Sequence, residues 1–248
     1  MKKQAYEKYL KESNNWLHRG RGLLLKYCME LYCPSLEDEN KVLDILEVGA
    51  GSGRNLEVLS KFGIVDAIEI EPMAIKEINR KQNIRNLYTQ KAPFELEQKY
   101  NVICAMDILE HVHNDKEVYV WITQHLKPDG ILFLTVPAYQ FLYCSHDIAL
   151  YHYRRYDLNR INALNDDKLE FIKKGYFNFS LFPFIAITRF LDRYILRGSK
   201  YAKKQLSSVP PVFDRIFFSV LKKEASLVKR YNLFPFGLTA FAVLKKNR

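Results

Sequence analysis

Apolar positions near the start of the chain recur at helical spacing. Leu24, Tyr27, Cys28 and Leu31 share one face of a helix predicted over residues 5–33, which ends near Pro34 and a polar loop from Ser35 to Lys41. From Val42 the pattern changes to short apolar runs separated by helical stretches. Val42–Val48, Ile64–Ile70, Leu87–Thr89, Tyr100–Met106 and Ile131–Val136 read as strands, and Leu56–Phe62, Met73–Gln82 and Asp115–Leu126 as the helices around them. Strands that alternate with helices pair in parallel through right-handed crossovers, and helices cover both faces of the sheet. The predicted fold class is α/β, a three-layer doubly wound sheet behind an N-terminal helical cap.

After Pro137 the rhythm breaks. Tyr139–Tyr156 is dense in aromatics, histidines and arginines without a clean period and is predicted to be a loop over the site. A strand near Leu169–Phe179 and a last strand near Gly237–Leu244 enclose about fifty residues that a compact sheet does not need. Within them, Ile187, Phe190, Leu191, Tyr194 and Ile195 form one amphipathic stripe, and Phe213, Ile216, Phe217, Val220 and Leu221 form another beyond Pro210-Pro211. The predicted organisation is a helical cap over 1–40, a core domain from 41–179 and 233–248, and a basic helical insertion over 180–232. The insertion is expected to cover the acceptor side of the site.

Charge sharpens this division. Residues 1–170 carry 22 basic against 25 acidic side chains, whereas residues 171–248 carry 16 basic side chains and only Asp192, Asp214 and Glu224 as acids, a local excess of +13. That imbalance points to an anionic partner for one region. The four cysteines form no C-x-x-C pair and the start lacks an apolar signal run, which predicts reduced thiols and a cytoplasmic protein. The longest uncharged stretches, Gly175–Thr188 and Tyr231–Leu244, fall short of the roughly 20 residues that cross a bilayer.

Candidate chemistry sits where the first strand turns into a helix. In Glu47-Val48-Gly49-Ala50-Gly51-Ser52-Gly53 the missing β-carbons let a ligand approach the backbone. A glycine turn alone is shared with dinucleotide-binding domains. Glu69, at the end of the next apolar run, can accept hydrogen bonds from both hydroxyls of a ribose. Asp107 closes a third run, followed by Ile108-Leu109-Glu110-His111-Val112. Together with Leu126-Lys127-Pro128-Asp129-Gly130-Ile131-Leu132, these motifs resemble the class I S-adenosylmethionine-dependent methyltransferases over residues 42–137.

The resemblance implies a Rossmann-like methyltransferase fold, S-adenosylmethionine as cofactor, and an enzyme that transfers its methyl group. By the same resemblance the glycine turn lies against the methionine part of the cofactor and Glu69 holds the ribose. The implied cofactor contacts are Glu47, Gly49, Ala50, Gly51, Gly53, Arg54, Glu69, Ile70, Ala92 and Asp107. Thr89-Gln90-Lys91-Ala92 departs from the family by lacking an acid there, so backbone groups near Ala92 are expected to meet the adenine. A second likeness runs through Trp16-Leu17-His18-Arg19-Gly20-Arg21, Val136-Pro137-Ala138, Ser145-His146-Asp147 and His152-Tyr153-Arg154-Arg155-Tyr156. These look like bacterial methyltransferases acting on small-molecule, saccharide- or lipid-linked acceptors.

On the acceptor side, His111, His146 and Tyr156 are the candidate catalytic residues, expected to border the pocket beyond the carboxyl ends of the strands together with Asp107. His111 is either a general base or a helix-start histidine with a structural bond. His146, Asp147, His152 and Arg155 either orient substrate or form a polar network that ties the loop down. Their spacing matches no zinc motif, and Val136-Pro137-Ala138 lacks the acids of a catechol-type magnesium site, so no metal is expected. The basic, phenylalanine-rich insertion suits a solvated face, an anionic membrane surface touched peripherally, or a phosphate-bearing amphiphile. Nucleic acid is the runner-up partner, because Asp107-Ile108-Leu109-Glu110 is not the signature of base-nitrogen methylation. A non-catalytic nucleoside-binding subunit is the reading from a different class.

Overall fold

The computed structural model describes residues 14–33, 42–81, 84–165, 167–193, 209–230 and 234–247. The first helix, α1 (Trp16–Tyr32), starts at Asn15, whose side chain accepts from the Leu17 and His18 amides at 3.0 Å each. That is an N-cap satisfying two of the orphan donors of the first turn. The predicted stretch before residue 14 lies outside the described residues.

The alternation that follows is β1 (Leu43–Val48), α2 (Arg54–Leu59), β2 (Gly63–Ile68), α3 (Pro72–Lys81) and β3 (Asn86–Tyr88), then β4 (Tyr100–Met106), α4 (Asp115–Gln124) and β5 (Leu126–Pro137). A single turn of 3-10 helix, Leu109–His111, follows β4, and another, Gln140–Leu142, follows β5. The chain then forms α5 (Ser145–Ala149), α6 (Leu158–Asn165), β6 (Leu169–Phe177), α7 (Phe182–Leu191), α8 (Pro211–Arg230) and β7 (Thr239–Lys246). Strand order is β3-β2-β1-β4-β5-β7-β6, parallel except for β7, which runs antiparallel to both neighbours. The expected doubly wound sheet is present.

Two apolar cores flank the sheet, as a sheet covered on both faces requires. Leu24, Leu25 and Met29 of α1, Leu56 and Leu59 of α2, Ile78 of α3, and Leu221 and Ala225 of α8 pack on one face. Val118, Tyr119 and Ile122 of α4 with Ile161 and Leu164 of α6 pack on the other. β5 is longer than its apolar run, because Lys127-Pro128-Asp129-Gly130 falls within its bounds; Asp129 adopts φ 61° and the register against β4 shifts there. Helix α6 has no counterpart among the predicted elements.

The two helices of the insertion go to different places. α8 lies along α1: Gly20 leaves room for Leu221, Trp16 meets the Phe217 ring edge-on at 5.3 Å, and Asp214 accepts from the Trp16 amide at 2.7 Å and pairs with Arg19. α7 instead clamps the loop after β5. Arg189 reaches Asp147 at 3.2 Å, and Asp192 accepts from both the amide and the hydroxyl of Ser145. The end of the first predicted stripe, Tyr194 and Ile195, lies outside the described residues.

Candidate active site

The site forms at the carboxyl ends of β1, β2, β4 and β5. The glycine turn leaves β1 with Gly49, Gly51 and Gly53 at φ 75°, 55° and 74°. Such angles are costly for residues with a β-carbon. A β-carbon on Gly49 would fall 1.8 Å from Ile108 Cδ1, so the residue after Asp107 seals the turn from below. The Gly49 and Ala50 amides donate to the Ile68 carbonyl at 2.9 and 3.0 Å, tying the turn to β2.

Glu69 stands beside this turn. Its Oε2 accepts from the Gly51 amide at 2.6 Å, and its Oε1 accepts from the Ile70 and Glu71 amides at 2.9 and 2.8 Å. Burial raises its carboxyl above the usual range, against the pull of those three amides. A carboxylate has about four acceptor positions, so one remains for a further donor. Glu47, 1% exposed, accepts from Asn55 Nδ2 at 2.7 Å through Oε1, while its Oε2 has no hydrogen-bond partner. Burial pushes its carboxyl up to about 8. Ala92 is buried against the same end of the sheet, whereas Ile70 is largely exposed.

Asp107 follows β4 at φ 55°; its amide donates to the Thr135 carbonyl at 2.9 Å, and its side chain accepts from Thr135 Oγ1 at 3.3 Å. Its other oxygen pairs with Arg21, which arrives from α1. His18 lies one turn before Arg21 on the same helix. Burial, with Arg21 and Arg54 adding to it, pushes His18 down to about 3. The cap helix therefore contributes to the site, a role the sequence motifs did not assign. The available signal was the Trp16–Arg21 stretch, where a histidine and an arginine stand three apart on one helical face.

The candidate catalytic residues separate into two groups. His111, in the turn after β4, is hydrogen-bonded to the Leu150 main chain and pushed down to about 3 by burial and by His152. Its ring meets that of His152 edge-on at 4.6 Å. His146, on α5, is also pushed down to about 3, by burial and Arg189. Tyr156 is 1% exposed, and its hydroxyl donates to Asp115 Oδ2 at 2.7 Å at the start of α4, so it ties the loop to the second core instead of turning to the histidines.

Asp147 is the hub of the loop. Fully buried, it accepts from His152 Nδ1 at 2.9 Å and Arg155 Nε at 2.8 Å through Oδ1, and from the Cys144 amide at 2.9 Å and Arg189 through Oδ2. These donors hold its carboxyl well below the ordinary range, despite the opposing effect of burial. Glu110, His111 and His152 bring one oxygen and two ring nitrogens within 4.8 Å of one another. Burial drives Glu110 strongly towards its protonated form and His111 towards its neutral one, and Glu110 Oε2 has no hydrogen-bond partner.

A family profile described as a methyltransferase domain matches residues 16–174. The chain belongs to that family, the class I S-adenosylmethionine-dependent methyltransferases. The ubiquinone biosynthesis O-methyltransferase of Rickettsia prowazekii (strain Madrid E) is 29% identical over 148 residues, covering 54% of this chain and 58% of that protein. The corresponding protein of Rickettsia typhi (strain ATCC VR-144 / Wilmington) is also 29% identical, with 54% and 60% covered. The match thus spans about six-tenths of the length of these relatives. In fold, the family member resembles the N-methyltransferase NodS from Bradyrhizobium japonicum WM9 in complex with S-adenosyl-L-homocysteine, with TM-score 0.58, 11% identity, and 99% and 98% of the two chains covered. It also resembles the plantazolicin methyltransferase BpumL in complex with a monoazolic desmethylPZN analog and S-adenosylhomocysteine, with TM-score 0.57, 17% identity, and 98% and 88% covered. Among the described residues, no helix of this methyltransferase is long and apolar enough to cross a membrane.

Proposed function

We propose that this methyltransferase moves the methyl group of S-adenosylmethionine to a small-molecule or lipid- or saccharide-linked acceptor. The observation that carries the reading is the contact between Glu69 and the Gly51 amide, which sets an acidic ribose partner directly against a glycine turn of three left-handed residues. Gly49, Ala50, Gly51 and Gly53 would leave room for the methionine part, with Glu47 and Arg54 at the start of α2 around it. Ala92, Ile70 and Asp107 would border the nucleoside. Arg21 offers a guanidinium suited to the cofactor's carboxylate.

Transfer from a sulfonium needs mainly in-line positioning, because the donor is already activated. His111 and His146 stand on the acceptor side of this arrangement, while Tyr156 would act through the shape of the loop. The names of the Rickettsia relatives support a small acceptor methylated on oxygen. The exposed Phe184, Ile187 and Phe190 on α7 and Val212, Phe213 and Ile216 on α8, beside a basic segment, support an amphiphilic acceptor reached at an anionic membrane face. Nucleic acid fits the charge but gains no base-reading feature from the site.

Titration calorimetry with S-adenosylmethionine tests the cofactor reading. Glu69→Ala is expected to weaken binding by roughly 1–3 kcal/mol through loss of charge-assisted bonds. Unchanged affinity removes Glu69 from the cofactor site. Flotation with anionic and neutral vesicles tests the membrane clause. Attachment should favour anionic lipid, weaken with salt and fall when Lys203, Lys204, Lys222 and Lys223 become Gln; absence of attachment at low salt rejects it.

A further inference from the structure

The three acidic side chains of residues 171–248 are all engaged within the fold. Asp192 accepts from the Ser145 amide and hydroxyl at 3.0 and 2.5 Å, Asp214 pairs with Arg19, and Glu224 accepts from the Phe179 and Ser180 amides at 2.8 and 3.2 Å. No acid is left for the outward face of the insertion. There α8 exposes Arg215, Lys222 and Lys223 together with Val212, Phe213 and Ile216. On α7, Phe184 at 73% is the most exposed large apolar side chain among the described residues, and Ile187 follows at 59%.

Helix α7 joins this face to the acceptor side of the site. None of its ten residues is buried, and Arg189 is its single charge. Its C-terminal end is fastened to the loop after β5: Arg189 reaches Asp147 at 3.2 Å and the Leu142 carbonyl at 3.4 Å, Asp192 holds Ser145, and Arg193 donates to the Gln140 and Phe141 carbonyls at 3.3 and 3.0 Å. We propose that the outward face of α7 seats in the surface of an anionic bilayer, and that this seating orders the loop from Gln140 to Asp147 that α7 clasps. The proposal rests on the membrane clause of the methyl-transfer reading above and adds to it the contact element and its coupling to the site.

A bilayer suits this face better than a nucleic acid, which would take the basic groups and leave Phe184 and Ile187 in water. At 1.5 Å per residue, α7 is about 15 Å long, half of the roughly 30 Å of a hydrocarbon core, so it lies in the interface and does not cross it. A helix this short is marginal in water unless a face of it is covered. A bilayer favours the clasped arrangement only if it binds that arrangement better than an unwound one. Helical winding supplies the difference, because it brings Phe184 and Ile187, three apart, onto one side. Lipid contact thereby raises the population in which Arg189, Asp192 and Arg193 hold the loop, and the membrane that presents an amphiphilic acceptor also orders the segment beside it.

The test uses the full chain, vesicles of equimolar phosphatidylglycerol and phosphatidylcholine, and vesicles of phosphatidylcholine alone. Flotation should show attachment to the anionic vesicles, and the double variant Phe184→Asp, Ile187→Asp should attach at least about tenfold more weakly with S-adenosylmethionine affinity unchanged, since both side chains are exposed. Hydrogen exchange read by mass spectrometry should show the amides of the loop from Gln140 to Asp147 slowed about tenfold by anionic vesicles in the unaltered protein, with α4 unaffected and no slowing in the variant. Equal attachment of the variant overturns α7 as the contact, and attachment of the unaltered protein without slower exchange in the loop overturns the coupling. Self-association that the variant abolishes, without flotation, gives the face to a second copy of the chain; binding to single-stranded RNA without flotation gives it to nucleic acid, and either outcome rejects the proposal. If the unaltered protein does not float, the membrane clause falls with the proposal, while its S-adenosylmethionine affinity by calorimetry decides separately whether the methyl-transfer reading stands.

Discussion

Replacing Gly49 by Ala tests whether packing as well as backbone angle shapes the glycine turn. Gly49 sits at φ 75°, a region that costs a residue with a β-carbon about 1–2 kcal/mol. The added carbon would also stand 1.8 Å from Ile108 Cδ1 and 2.5 Å from Ile108 Cγ1. Ile108 is β-branched and stiff at χ1, so it yields only by leaving its place, and such overpacking costs typically about 1–3 kcal/mol. The expected loss is therefore about 2–5 kcal/mol, a large part of the stability of an ordinary domain. Ile108→Ala removes both colliding atoms. In the double variant the steric part should vanish and appear as a coupling of about 1–3 kcal/mol, while the backbone part persists. Urea unfolding followed by the fluorescence of Trp16 and Trp121 gives the four values needed. A loss below about 1 kcal/mol for the single variant, or no coupling in the cycle, would refute the packing argument.

Three further outcomes are expected. Between pH 4.5 and about 8, the folded chain holds a proton on Glu47 that the unfolded chain has lost; the Glu47 contribution to stability is fully present below this window and falls as pH rises through it, and Glu47→Gln should flatten that slope in urea midpoints taken from pH 5 to 8. Tyr156→Phe removes the bond to Asp115 Oδ2 and should cost about 1–3 kcal/mol of stability with S-adenosylmethionine affinity unchanged; a lost affinity at full stability would move Tyr156 into the cofactor site. Asp214→Ala takes away both the amide bond to Trp16 and the pair with Arg19, so amide exchange along the first turn of α1 should accelerate, and unaltered exchange would show that α8 does not hold α1 down.

The sheet, the glycine turn and the partnership of that turn with Glu69 were legible in the chain, because each rests on local pattern. Apolar runs that alternate with 3.6-residue periodicity specify β1 to β5 and their helices, and a strand followed by closely spaced glycines specifies a turn that approaches a ligand. Helix α6 was not legible, for its one buried stripe is short and borders a segment rich in polar residues. What only the tertiary structure decided are contacts between residues far apart in sequence. Arg21 meets Asp107, Asp214 caps α1, Tyr156 turns to Asp115, and Arg189 reaches the Asp147–His152 pair from a helix whose local pattern is merely apolar. No local spacing encodes such meetings, since each depends on two separately folded elements docking on one sheet and on polar groups finding partners once water is gone.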